Sequence, residues 1–354
     1  MHGRVAGLAG LAVAAALVVP GVAGAATKTV QAGPFGPQAK QFVEGELPIG
    51  DANQFFRRTV TIHRGDSVRW KINGFHNVMF VQGGVEEPPL IVPDMANPVT
   101  DVRDAGGALF WFNGQPNVSF NPEVALKQGG NTFDEDETLN SGLPLSEGPP
   151  PPYKLKFNQT GRFSYLCSVH PGMNGTVRVK RRGARIPSAR RDKRVARREL
   201  GRTARAVKRL ATGNGLNLTN TIQAGNDRRS GATVFKFFPA ASSFKVGDTV
   251  TVQMPPSSSE VHTFTLGPAD YLRQVEESLL GPVLDPRGIY PSDPTTPDFN
   301  GANHGNGYYN SGFLDSNPDS VLPQSTQVRF TAAGTFNLVC LVHPFMTGTV
   351  TVTP

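Results

Sequence analysis

The sequence has only two cysteines in 354 residues, beside seven histidines, six methionines and two tryptophans. So few thiols exclude a disulfide-stapled scaffold and a multi-cysteine metal cluster. After the N-terminal segment no long apolar run remains, so nothing later in the chain reads as a bilayer span. There is no His-x-His pair and no methionine-rich tract. General basicity is missing too, although the net charge is +7. Residues 180–210 carry fourteen Lys/Arg against Asp192 and Glu199, which makes that segment +12 and the rest of the chain −5. Two mildly acidic blocks around a basic connector give no basis for a nucleic-acid partner.

Residues 1–25 read as an export signal, with Arg4 as the charged start, Leu8 to Val19 as the apolar stretch and Ala23-Gly24-Ala25 as the cleavage site. An uncleaved N-terminal anchor is the competing reading. Either way the expected location is exported: periplasmic, cell-surface or extracellular. The 39 glycines and 30 prolines, with plentiful Val, Thr and Phe, suit short strands joined by many turns.

Self-comparison decides the organisation. "GRFSYLCSVHPGMNGTVRV" (161–179) aligns without a gap to "GTFNLVCLVHPFMTGTVTV" (334–352), identical at 11 of 19 positions. Upstream, "RGDSVRWKINGFHNVMF" (64–80) answers "VGDTVTVQMPPSSSEVHTFTL" (246–266), and "LNSGLPL" (139–145) answers "YNSGFLD" (309–315). Each half alternates polar and apolar residues with a period of two, at 67–72 and at 249–252, as a half-buried strand does. The expectation is an all-β chain of two sandwiches, at 30–180 and 213–354. A basic, helical linker at 181–212 would join them, capped by Ser188 and with Ala196, Leu200, Ala204, Val207 and Leu210 on one stripe. Stretches 83–150 and 267–310 look like insertions rather than core, the second with a short helix at Tyr271 to Leu280 capped by Asp270. The Phe110-Trp111-Phe112 triplet reads as core or as a docking patch, and His63 and His304 as solvated.

Each cysteine sits in a Cys-x-x-His-x-x-Met heptapeptide with a further His upstream. The two sets are His76, Cys167, His170, Met173 and His262, Cys340, His343, Met346. A thiolate, two imidazoles and a weak thioether are what a type 1 copper centre requires. A Cys167–Cys340 disulfide would not predict His and Met at identical offsets. Zinc has little use for Met. The remaining alternative is that the histidines end strands and the methionines fill core.

These motifs resemble the cupredoxins, the plastocyanin/azurin-like blue copper proteins. "GFHNVMF" is similar to the first-ligand loop of plastocyanin and pseudoazurin, and the short Cys-x-x-His-Pro-x-Met loop to that of amicyanin. The resemblance covers the core of both halves, not the insertions or the connector. It implies Greek-key sandwiches, one copper in each, and reversible one-electron transfer. It further implies that His170 and His343 reach the surface as electron ports, and that Asn77 and Ser168 tie the ligand loops together. Thr263 and Leu341 replace that pair in the second half.

The leading expectation is therefore an exported electron carrier with two type 1 copper sites and no substrate turned over. A copper oxidase or nitrite reductase would need further histidines, and only His63 and His304 are left outside the N-terminal segment. Copper carriage or storage would favour more methionine. Redox proteins are the expected partners, with an anionic membrane surface or acidic partner for the basic segment.

Overall fold

The computed structural model describes residues 24–354; residues 1–23, with most of the expected export signal, lie outside the described residues. The chain is mostly β, built around two pairs of sheets. In the first half one sheet runs Tyr153–Lys156, Ser67–Ile72, Thr27–Ala32, Phe55–Phe56. The facing sheet runs Leu139–Asn140, Met79–Phe80, Gly161–Leu166, Asn174–Lys180, Thr59–His63. The second half has the order Phe237–Phe238, Thr221–Ala224, Thr249–Gln253, Ser325–Phe330, Asp298–Phe299 against Ala241–Lys245, His343–Thr353, Gly334–Cys340, Thr265–Leu266, Tyr309–Asn310. Taken in chain order, the strands of the second half occupy the places of those in the first, with Asp298–Phe299 added at one edge. Even the parallel pairings recur. Thr27–Ala32 runs parallel to Ser67–Ile72, as Thr221–Ala224 does to Thr249–Gln253.

The period-two pattern explains where each core forms. Val68, Trp70 and Ile72 point inward with Val30, Phe80, Tyr165 and Val177. Val250 and Val252 do the same with Phe264, Leu338 and Val350. Trp70 is fully buried and meets Tyr165 edge-on at 5.3 Å, a favourable aromatic geometry.

A short strand from each half joins them. Gly50–Ala52 pairs antiparallel with Ala232–Val234, with Asp51 opposite Thr233. Gly50 has no room for a side chain, since a Cβ there would stand 2.1 Å from the Thr233 carbonyl oxygen and 2.8 Å from Val207 Cγ1. That approach brings in the basic segment, which forms the helix Ala189–Leu210. Ser188 caps it by accepting from the Arg191 N–H. The helix buries Ala196, Leu200, Ala204 and Val207 against Phe42, Ala52, Phe56, Ala232, Val234 and Phe238, residues of both halves. Asp192 is also buried, held by Lys28 Nζ at 2.7 Å and by Arg57. The charges that remain lie outward, with Arg190, Lys193, Arg194, Arg197, Arg198, Arg202 and Arg205 exposed.

The stretches expected to be peripheral instead make cores of their own. Val99, Phe110 and Phe112 from the first pack with Leu272 and Tyr308 from the second. Val118 and Phe120 pack with Val275, Leu279, Leu284 and Leu341. Phe110 and Phe112 are thus core, while Trp111 is partly exposed and donates its indole N–H to the Pro291 carbonyl. The helix in the second stretch spans Ala269–Leu279, starting earlier than expected because Pro268 is its N-cap; Asp270 lies in the first turn.

Neither spare histidine is solvated in the simple sense expected. His63 Nε2 lies 2.8 Å from the Ala184 carbonyl oxygen. His304 is wedged between the two stretches, Nδ1 3.3 Å from Asp104 Oδ2 and Nε2 3.4 Å from Asp293 Oδ2. Burial alone would lower its pKa, but Asp293 and Asp104 outweigh that and raise it above the ordinary value. A raised histidine stabilises the fold fully below its unfolded value near 6.5, and that contribution is lost as pH rises through the folded value. Wild-type protein should lose stability across that upper window relative to His304→Gln. Urea unfolding as a function of pH measures the difference.

Candidate metal centres

The first centre is assembled from two turns at one end of the sandwich. Strand Gly161–Leu166 delivers Cys167, the chain turns through His170, and Met173 leads into Asn174–Lys180. Two backbone bonds close the turn: the Cys167 N–H donates to the Met173 carbonyl at 3.0 Å, and the Met173 N–H to the His170 carbonyl at 3.0 Å. His76 arrives from the turn after Ser67–Ile72. The second centre repeats this, with Cys340 ending Gly334–Cys340, His343 opening the return strand, and His262 bridged to Leu314 by two backbone hydrogen bonds.

In each half the histidines and the cysteine converge, and their ligand atoms lie within 4.8 Å of one another. Cys167 Sγ is 3.9 Å from His76 Nδ1 and 3.6 Å from His170 Nδ1, and the two Nδ1 atoms are 3.0 Å apart. Cys340 Sγ is 3.6 Å from both His262 Nδ1 and His343 Nδ1, with the nitrogens 3.2 Å apart. A first-row metal about 2.3 Å from sulfur and about 2.0 Å from nitrogen, bound trigonally, sets sulfur and nitrogen about 3.7 Å apart and the two nitrogens about 3.5 Å apart, so the nitrogens need to open by only a few tenths of an ångström. The donor sets fit such an ion. Met173 and Met346 are buried in the same cores as Cys167 and Cys340.

The electrostatics agree with thiolate ligands. Burial alone would raise each thiol, yet the hydrogen bonds and charges of His170 and His76 hold Cys167 well below the ordinary thiol range, as those of His262 and His343 do for Cys340.

Supporting contacts differ between the halves, though less than the sequence suggests. Asn77 Oδ1 accepts from the Ser168 N–H at 2.8 Å, and Asn77 Nδ2 reaches Ser168 Oγ at 3.3 Å. The expected gap in the second half is filled, because Thr263 Oγ1 accepts from the Leu341 N–H at 2.8 Å. A shorter hydroxyl does the tying that the amide does in the first half.

The largest departure concerns the ports. His170 is buried, and His343 is only partly exposed. His170 Nε2 lies 3.4 Å from Glu260 Oε1, and His343 Nε2 lies 3.5 Å from Glu260 Oε2. The His170 edge is covered by the other half, whereas the His343 edge is covered by Glu260 and Phe235 of its own half. Phe235 stacks on the His343 ring at 4.5 Å between centroids.

Sequence reading missed Glu260, since a lone Glu in "SSSEVH" carries no pattern. It also missed Gly33 and Gly225, which repeat in "QAG" at 31–33 and 223–225. Both have positive φ, and a Cβ on them would stand 3.0 Å from His76 Nε2 and 2.7 Å from His262 Nε2. These two nitrogens are buried without a hydrogen-bond partner. The repeated triplet was the available signal.

No protein-family model matches the sequence, and no curated protein does. Solved structures similar to parts of the chain are cupredoxins. A reduced mutant of amicyanin is 18% identical over 40% of this chain and 87% of its own, with a TM-score of 0.21. Reduced auracyanin from Roseiflexus castenholzii is 20% identical over 39% of this chain and 100% of its own, at 0.23. A purple cupredoxin from Nitrosopumilus maritimus is 18% identical over 38% and 98%, at 0.21.

Thr263→Val keeps the shape of the side chain but leaves the buried Leu341 N–H without an acceptor. The variant should be less stable by about 1–3 kcal/mol in equilibrium unfolding, and its metal affinity should fall at the second centre only.

Proposed function

We propose that this chain is an exported electron-transfer protein made of two cupredoxin-type sandwich domains, 30–180 and 213–354, each binding one type 1 copper. The observation that carries the reading is the recurrence of one buried donor set, two imidazole Nδ1 atoms and one thiolate, at matching places in both halves. His76, Cys167, His170 and Met173 would hold one copper, and His262, Cys340, His343 and Met346 the other. Copper bound there supplies reversible one-electron chemistry. The protein's part is to keep three donors at fixed separations in a dry core, so that little rearranges when the charge changes. Cys167 and Cys340 serve as thiolates, and the loop hydrogen bonds to Asn77 and Thr263 keep the cysteine and histidine turns in register.

Among the described residues no further His/Cys/Asp/Glu group of metal-binding geometry accompanies these two. His63 and His304 are engaged elsewhere. This favours an electron carrier over a copper oxidase or nitrite reductase, and the short supply of methionine disfavours storage. None of the described helices is long and apolar enough to cross a membrane. The exposed arginine face of Ala189–Leu210 suits an acidic redox partner or an anionic surface.

Copper analysis with optical spectra tests the reading. Wild-type protein should take up two copper ions per chain and show an intense thiolate-to-copper band that a reductant bleaches reversibly. Cys167→Ala and Cys340→Ala should each lose one copper and about half of that band. A variant with unchanged copper content would show that its half is not a copper site. Steady oxygen or nitrite consumption would replace the carrier by an enzyme.

A further inference from the structure

Glu260 touches both centres, and its two oxygens are divided between them. Oε1 faces His170 Nε2 of the first half and Oε2 faces His343 Nε2 of the second, at 3.4 and 3.5 Å. The side chain is buried, and both halves grip it. Asn53 Nδ2, from the first half, donates to Oε1 at 2.7 Å. From its own half, the Glu260 N–H donates to Ser258 Oγ at 2.9 Å, and Ser258 in turn donates to the buried Asp227. Each of the two histidines thus has Nδ1 in a donor set and Nε2 on a carboxylate oxygen. A ring tied at both nitrogens has one orientation open to it.

The matching position in the first half, two residues before His76, is Gly74. It has φ +93°, and a Cβ there would stand 3.2 Å from Asp51 Oδ2 and 3.3 Å from His76 Nε2. A side chain at 74 would crowd Asp51 and the His76 ring, and the carboxylate that faces both His170 and His343 comes from the second half.

We propose, resting on the copper reading above, that Glu260 is a positioning residue shared by the two centres. It orients His170 across the junction as well as His343 beside it, so the metal affinity of the first centre depends on a residue of the second half. Carboxylate partners of ligating histidines change metal affinity by about 10–100-fold. That is the size of effect expected here, felt at two sites from one substitution.

The test reads each centre alone, by titrating Cu(I) against a chromophoric chelator in the Cys340→Ala and Cys167→Ala backgrounds. Glu260→Gln removes the charge and turns one acceptor into a donor. It should weaken Cu(I) binding by about 10-fold or more in both backgrounds. A loss confined to the second centre, or no loss at either, overturns the proposal. Asn53→Ala loosens Glu260 without removing it and should weaken both centres by a smaller factor. If Glu260→Gln does not fold, this variant decides the matter, and affinity unchanged at either centre overturns the proposal. A second readout needs no metal. In long-range proton–nitrogen spectra of the metal-free full chain, the Nε2–H signals of both His170 and His343 should be slow to exchange and should move on Glu260→Gln. A response from one ring alone overturns the shared role. If neither single-cysteine protein takes up copper, the copper reading fails, while these ring spectra still decide the role of Glu260.

Discussion

The pairing of Gly50–Ala52 with Ala232–Val234 is the contact on which the arrangement of the molecule depends. Asp51 and Thr233 each stand four residues before the Phe-Phe pair that edges one sheet of their half, Phe55–Phe56 and Phe237–Phe238. They lie opposite each other in the ladder, so matching positions meet, as they do in a self-complementary interface between identical subunits. An interface of this kind turns the same end of each half toward the other. Because that end carries the metal-ligand turns, the two centres face across the junction. The helix Ala189–Leu210 then covers the short ladder, and the two long stretches close the sides.

The symmetry is broken at the position two residues before the upstream histidine. A side chain at 74 would meet Asp51 Oδ2 and the His76 ring, and a glutamate there would add to Asp51, Asp227 and Glu260, carboxylates already gathered at the junction. Glycine at 74 and glutamate at 260 leave one carboxylate between His170 and His343. Burial alone would raise it, yet His170 and His343 hold it well below the ordinary carboxylate range. The same two rings are raised, His343 to about 10, in part by that carboxylate. Asn53 and Phe235 divide the remaining work, one hydrogen-bonding Glu260 and the other stacking on His343.

Local features were legible in the sequence because local rules produce them. Alternation at 67–72 placed a strand, and Ser188 with the Ala196–Leu210 stripe placed a helix. Cys-x-x-His spacing brings sulfur and Nδ1 to 3.6 Å in both halves, since a four-residue turn fixes that separation. The rest depended on contacts that no local pattern encodes. Phe110 and Phe112 read equally as patch or core until Leu272 and Tyr308 arrive from far along the chain. His170 looked like a surface residue because in a single sandwich the end of the ligand turn has nothing above it. Thr263 looked like a loss because the comparison was of residue types, whereas the Leu341 N–H requires only an oxygen at the right distance.

Covering the histidine edges changes what the two centres can do. A lone sandwich with an exposed ring edge can exchange electrons through that edge with whichever protein docks there. Here Glu260 occupies both edges, from across the junction for His170 and from the same half for His343, so one side chain lies between the two rings. Each thiolate also feels an acidic side chain of another element, Glu87 beside Ser168 and Glu276 for Cys340, and burial raises both above the ordinary carboxylate value. On the proposed copper reading, two centres joined by one carboxylate would pass an electron to each other more readily than two separate carriers would. Duplication of a sandwich alone would not produce that arrangement. It follows from the way the short ladder turns the two halves face to face.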